Sequence, residues 1–229
     1  MFPDAEHSVR IHDLLEIDAE QLVCFQMTAP EWLKEDLRKS PYAVVRRGTV
    51  TEQKIPIGFR GPERNQRWAA DCHPKLVRRI ITPTQLLTST ILTSHESFVP
   101  ALHTLHLLKL RWMDLHHLWG PGGSVGFELA TGRQVVKPES DLDIVIFAEG
   151  RMTVAEAESL WTRAMDLPAA VDIRVETPVC GFSLGEFVNQ SPSPILLRTS
   201  NGFMFGRDPW SNEVEIIETE LCGERGLRI

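Results

Sequence analysis

Three acids and one glycine turn carry the chemistry that can be read from this sequence. Asp141-Leu142-Asp143 runs into Ile144-Val145-Ile146-Phe147, and Leu142, Ile144 and Ile146 alternate with Asp141, Asp143 and Val145. That period predicts a strand with both carboxylates on one face. Neighbouring like charges raise each other's pKa and oppose joint ionisation, so a cation is expected beside them. Mg²⁺ suits the position, because it takes oxygen ligands, typically one or two carboxylates plus substrate phosphates. Upstream, Gly122-Gly123-Ser124 would let backbone N–H groups and a hydroxyl approach phosphate oxygens at a helix N-terminus. Downstream, Asp172 lies in Val171-Asp172-Ile173-Arg174-Val175-Glu176, a second half-buried strand by its alternation. If the two strands are neighbours, Asp172 completes a three-carboxylate cluster, with Glu176 as the competing choice. Two metals held there would clamp the attacking and leaving oxygens of an in-line displacement, and Asp172 could also take the nucleophile's proton.

These residues need elements to position them. Val125 to Thr131 fits two helical turns closed by a left-handed Gly132, although its alternating Val125, Phe127 and Leu129 also suit a strand. Glycine turn, short helix, loop and Asp-x-Asp strand is the order found in nucleotidyltransferases of the polymerase-beta type. Thr153-Val154-Ala155-Glu156 is a capping box that opens a helix to Met165 or Asp166, so the Asp141 and Asp172 strands form a strand, helix, strand unit. Leu184 to Asn189 reads as a short helix, and Pro194 to Phe205 as two strands turning at Asn201-Gly202.

The first part of the chain reads as a smaller unit. Thr28 and Pro30 open a helix through Leu37, and Tyr42–Arg47 with Ile55–Phe59 form a hairpin in which Pro56 implies an edge. Arg60, Arg64 and Arg67 then fall at helical spacing and are candidates for a second anionic contact; the alternative is a solvated face with Glu63 as counter-ion. Thr82-Pro83 starts a helix with Leu86, Leu87 and Ile91, and Phe98 to Leu110 makes the next, with Val99, Leu102, Leu105 and Leu108 as its buried stripe. The expected organisation is α+β, with an N-terminal α+β domain over residues 1–88 and a catalytic domain with a mixed sheet over residues 89–229.

Composition removes several classes. Among 229 residues, 24 Lys and Arg stand against 31 Asp and Glu, a net charge of −7 that argues against general nucleic-acid binding. Cys24, Cys72, Cys180 and Cys222 are scattered without zinc or disulfide spacing. His103, His106, His116 and His117 lack the accompanying ligands of a metal site and read as surface or core-edge residues. The charged N-terminus lacks the apolar core of a secretory signal, and no run approaches the ~18 apolar residues of a membrane span. A cytoplasmic protein is expected.

GPGGSVGFELATG with SDLDIVI, together with IPIGFRGPERNQRWAA, VDIRVET and LLRTSNGFMFGRDPW, resembles the phosphoribosyl-dephospho-CoA transferases of bacterial malonate decarboxylase, from His12 to Trp210. The resemblance implies transfer of the prosthetic group from triphosphoribosyl-dephospho-CoA to a serine of the decarboxylase acyl-carrier protein, with diphosphate leaving. It implies Gly123 and Ser124 as triphosphate binders and Asp141 and Asp143 as Mg²⁺ ligands, with Asp172 matching the third acid. Sixteen residues separate Ser124 from Asp141, a longer stretch than is usual in the superfamily, and the extra loop adds Lys137 as a triphosphate contact or a solvated lysine. Another nucleotidyltransferase, a citrate-lyase-type carrier acceptor and a non-catalytic nucleotide-binding module are the competing functions.

Overall fold

A computed structural model describes residues 9–25, 29–61, 63, 65–88, 99–190 and 193–211. Within these residues the fold is α+β and rests on two sheets. The first is antiparallel throughout, in the order β4-β3-β2-β1-β5, from β1 (Leu14–Ile17), β2 (Tyr42–Val45), β3 (Ile55–Arg60), β4 (Arg67–Cys72) and β5 (Val77–Ile81). Helices α1 (Ala19–Phe25) and α2 (Glu31–Lys39) cover it. Leu33 and Leu37, one turn apart on α2, pack with Leu15, Ile17, Val45, Ile55 and Ile57 into one buried cluster. Thr28, the expected N-cap, lies outside the described residues, and the helix starts after Pro30.

Two expectations for this part change. Pro56 is not on an edge strand, because β3 is hydrogen-bonded to β2 and β4. Its carbonyl accepts from Arg46 N–H at 2.9 Å, and its missing N–H faces the same way, past the last residue of β2. The Arg46–Pro56 pair keeps one of its two possible bonds, and the bond that proline cannot make falls just beyond the end of β2. The arginine block is not helical either: Arg60 ends β3, Arg67 starts β4, and the two are register partners across a hairpin. The intervening turn is closed by Gly61 N–H donating to the Gln66 carbonyl at 2.9 Å. Arg64 lies outside the described residues.

The second sheet is mixed, with the order β11-β10-β9-β8-β7-β6. Its strands are β6 (Leu118–Pro121), β7 (Leu142–Phe147), β8 (Val171–Glu176), β9 (Gly181–Ser183), β10 (Ile195–Thr199) and β11 (Gly202–Gly206), and only β7 and β8 run parallel. A parallel pair needs a crossover, supplied by α6 (Val154–Arg163) with the expected capping box: Thr153 Oγ1 accepts from Glu156 N–H at 3.2 Å, and Glu156 Oε2 from Thr153 N–H at 2.7 Å. Helix α3 (Pro83–Leu86) is one capped turn and α4 (Pro100–Arg111) buries Ala101, Leu102, Leu105 and Leu108; the residues between 88 and 99, including Ile91 and Phe98, lie outside the described residues. Helix α5 (Gly123–Thr131) settles the choice between helix and strand, ending on Gly132 at φ 72°. Helix α7 (Leu184–Gln190) follows β9, and β10 turns into β11 at Ser200-Asn201, one residue before the expected place.

Leu14 and Ile81 of the first sheet pack into the core of the second, which also holds Trp112 and Trp119 edge to face, 4.9 Å between ring centroids. Gly120 on β6 lies so close to Pro83 that a Cβ there would overlap the Pro83 carbonyl. No described helix is long and apolar enough to cross a membrane.

Candidate active site

The glycine turn is delivered to the head of β7 by strand pairing. Pro121, the last residue of β6, is in register with Ile144, and the next residue, Gly122, donates its N–H to the carbonyl of Asp143 at 2.9 Å. The chain then passes through Gly123 at φ 52° and enters α5. Only glycine fits here, because the backbone is left-handed and a Cβ would overlap Asp143 Oδ2. The Asp143 carboxylate therefore lies against the start of α5, beside the half-buried Ser124. Gly122 caps the helix without a side chain, so the first-turn N–H groups are left for an acceptor from outside. Gly122, Gly123 and Ser124 thus stand together beside the acidic strand.

Asp172 stands next to Asp143, because the two are register partners in the parallel β7–β8 pair and share a sheet face. Asp141 is exposed and precedes β7 by one residue instead of lying within it. Burial pushes the Asp143 carboxyl above its ordinary value, and the charges of Asp172 and Asp141 push it further; those of Arg60 and Arg174 pull the other way without cancelling the rise. Arg60, at the tip of the β3–β4 hairpin, thus brings the first sheet's charge to the acidic face of the second.

The same face bears on Mg²⁺. Among the described residues, no three His, Cys, Asp or Glu side chains converge closely enough to hold a metal ion by themselves. Mg²⁺ needs no such cage, since it keeps several waters and completes its shell from substrate phosphates. The all-oxygen donor set and the uncompensated charge around Asp143 fit it. The remaining candidates are less central. Arg67 is exposed opposite Arg60, and Lys137 is exposed in a turn where its N–H meets Ser140 Oγ at 3.0 Å. His103, His106 and His116 are exposed and His117 half-buried. Cys72 and Cys180 are free and buried; burial pushes the Cys72 thiol up to about 11 and raises that of Cys180, so neither is a ready nucleophile.

Comparison with known proteins decides the family. The phosphoribosyl-dephospho-CoA transferase MdcG C-terminal domain matches residues 90–209, and the MdcG N-terminal domain matches residues 10–83. The chain belongs to the phosphoribosyl-dephospho-CoA transferase family. It is similar to the phosphoribosyl-dephospho-CoA transferase of Klebsiella pneumoniae subsp. pneumoniae, 33% identical over 208 residues that cover 89% of this chain and 97% of that protein. The Pseudomonas syringae pv. tomato transferase is 30% identical over 207 residues, covering 90% and 96%, and the Azotobacter vinelandii one 32% over 186 residues, covering 80% and 86%. No solved structure matches the chain. This protein is thus an enzyme, a transferase.

Within this transferase fold, Glu176 has a different setting from Asp172. It is buried at the far end of β8, with Oε1 2.8 Å from His12 Nε2 and Oε2 paired to Arg47. A carboxylate only accepts, so His12 carries its proton on Nε2. Gly181, the register partner of Glu176, makes the room: a Cβ there would overlap the Arg47 guanidinium. Burial alone would raise the Glu176 carboxyl, but the hydrogen bonds and charges of His12 and Arg47 outweigh it and hold it below its ordinary value. His12, Arg47 and Gly181 were not singled out from the sequence, and neither was Arg174, which donates from Nη2 to Asp172 Oδ2 at 3.2 Å. The available signal for Arg174 was its position on the face of two acids.

Proposed function

We propose that this enzyme transfers the phosphoribosyl-dephospho-CoA group from triphosphoribosyl-dephospho-CoA to a serine hydroxyl of the malonate decarboxylase acyl-carrier protein. The observation that carries the reading is the register of Asp143 with Asp172 directly beside the Gly122–Ser124 turn, in a chain of this family. The Gly123 and Ser124 backbone at the start of α5 binds the triphosphate oxygens and orients the chain of phosphates for in-line attack. The serine oxygen bonds to the α-phosphorus as the bond from that phosphorus to the bridging oxygen breaks, and diphosphate leaves. Asp172 accepts the serine proton, which leaves charge balanced across the step. Asp141, Asp143 and Asp172 are the residues that would hold Mg²⁺, which when bound supplies positive charge to the phosphate oxygens and relieves the carboxylates' repulsion. Arg60 adds charge from the first sheet, with Arg64, Arg67 and Lys137 as outer contacts of the donor.

Intact mass of the apo carrier protein after incubation with enzyme, Mg²⁺ and triphosphoribosyl-dephospho-CoA tests this. The expected result is a gain equal to the prosthetic group, absent with Asp143→Asn and absent when a chelator replaces Mg²⁺. A folded wild-type enzyme that leaves the carrier mass unchanged would reject the acceptor and donor together.

A further inference from the structure

Beyond the acids, the same face of the second sheet continues through two arginines to an exposed ring. Asp172, Arg174 and Glu176 alternate along β8; Glu176 is in register with Gly181 of β9, and Gly181 with Arg198 of β10. Register partners share a face, so Arg198 lies on the side of the acids. Arg198 in turn is opposite Phe203 of β11, its guanidinium carbon 6.0 Å from the centre of that ring. Phe203 is 74% exposed and Phe205, two residues on along the same edge strand, 46%.

The guanidiniums are incompletely satisfied. Nη1 of Arg174 and Nη1 of Arg198 are both shut off from water and meet no acceptor among the described residues. A buried donor without a partner is costly, and two cations side by side add to the cost. Gly181 stands between Glu176 and Arg198, and Arg174 faces Ser183 across the strand pair. An anion with several oxygens would satisfy both groups, and guanidinium forks match phosphate geometry. Phe203 beside it offers a flat apolar face of the kind on which a base stacks.

The order across the sheet assigns the ligand. The glycine turn follows β6, the acids stand on β7 and β8, the arginines on β8 and β10, and the exposed ring on β11. Four strand steps of about 4.8 Å and the roughly 13 Å from Asp172 to Glu176 along β8 put Asp143 and Phe203 roughly 23 Å apart. The glycine turn flanks the acids on one side and the arginines flank them on the other, so the two anion-binding groups address different parts of one extended ligand. We infer that Arg174, Arg198 and Phe203 bind the coenzyme half of the donor, the arginines taking its bridging diphosphate and Phe203 its adenine. This rests on the proposed transfer reaction for the identity of the donor. It gives the enzyme a way to select a dephospho-CoA nucleotide over an ordinary nucleoside triphosphate, which lacks that second diphosphate.

Calorimetric titration in metal-free buffer, where the acids cannot hold phosphate through a metal, tests the site with dephospho-CoA, ADP and inorganic diphosphate. Arg174→Gln and Arg198→Gln are expected to weaken dephospho-CoA and ADP about ten- to hundredfold. Phe203→Ala, at an exposed position that should not disturb folding, is expected to weaken ADP about tenfold and leave inorganic diphosphate unchanged. Arg78→Ala, on β5 and paired with Asp18, serves as the charge control and is expected to change nothing. Equal affinity of Phe203→Ala and wild type for ADP, or of Arg198→Gln and wild type for dephospho-CoA, would overturn the assignment. The carrier mass assay is independent of these titrations: failure there with binding intact rejects the transfer reading, and the reverse rejects only the subsite.

Discussion

The two ends of β8 carry the same chemistry and treat it oppositely. Asp172 and Glu176 share a sheet face, four positions apart and roughly 13 Å along the strand. At the Asp172 end, Asp141 and Asp172 crowd a half-buried Asp143, and the cations within reach, Arg60 and Arg174, do not cancel the repulsion. At the Glu176 end, one acid is buried between Arg47 and His12, and a glycine has been cleared to admit the arginine. Burial penalises both Asp143 and Glu176, so burial does not distinguish them; the partners do. A group that the fold neutralises itself is part of the scaffold. A group that the fold leaves charged and crowded is waiting for something from outside.

The sharpest way to break this contrast is catalytic. Asp143→Asn should lower transfer to the carrier protein by about a thousandfold or more, since several kcal/mol of transition-state charge stabilisation depend on it. Glu176→Gln, measured at a temperature where it remains folded, should retain transfer within a few-fold. If both lose activity equally, the two ends are not functionally separate. The next effect is on stability. Glu176→Gln leaves the Arg47 guanidinium facing a neutral partner and should cost about 3 kcal/mol, read as a fall in Tm of roughly 6–12 °C. An unchanged Tm would show that the clamp contributes nothing net. Its pH dependence has a definite sign. The folded Glu176 carboxyl lies below its ordinary 4.5, so the stabilisation is complete above about that pH and disappears as pH falls through the lowered value. The gap in Tm between wild type and Glu176→Gln should therefore be full at neutral pH and close in acid.

Some of this was legible in the sequence and some could not be. Period-2 alternation is local, and it placed the acids of both strands on polar faces without any partner being known. The capping box at Thr153 and Glu156 announced the crossover helix, and hence the parallel pair, for the same reason. Val125 to Thr131 was ambiguous because its apolar residues fit both periods; the fold resolves it by turning Glu128 inward, where its Oε2 accepts from Val135 and Val136 N–H at 2.7 and 2.8 Å. The spacing of Arg60, Arg64 and Arg67 suits a helix, but Gly61-Pro62 follows Arg60, a pair that belongs in a turn, and Arg60 and Arg67 face each other across a hairpin. The choice between Asp172 and Glu176 had no local answer. Glu176 finds His12 164 residues away and Arg47 129 residues away, and contacts of that separation leave no mark on the surrounding sequence. Strand β9 has three residues, too few to show a period.

The smallest expected effect is also the one that tests the comparison most directly, because it inverts the usual cost of mutating a half-buried residue. With its carboxyl raised above the ordinary 3.8 by burial and by Asp172, the folded Asp143 keeps its proton to a higher pH than the unfolded chain does. In the interval between those two values the folded state binds more protons, so stability falls as pH rises, and above it the penalty stays constant. Asparagine has nearly the same shape and no charge to bury. In chelator-treated protein at neutral pH, Asp143→Asn should therefore melt higher than wild type, by an amount on the order of 1–3 °C, and the difference should vanish below about pH 3.8. Added Mg²⁺ should raise the wild-type Tm and leave the variant's nearly unchanged, which narrows or reverses the gap. A variant that melts lower than metal-free wild type at neutral pH would mean that Asp143 is held by stabilising partners after all, and the two ends of β8 would no longer differ in kind.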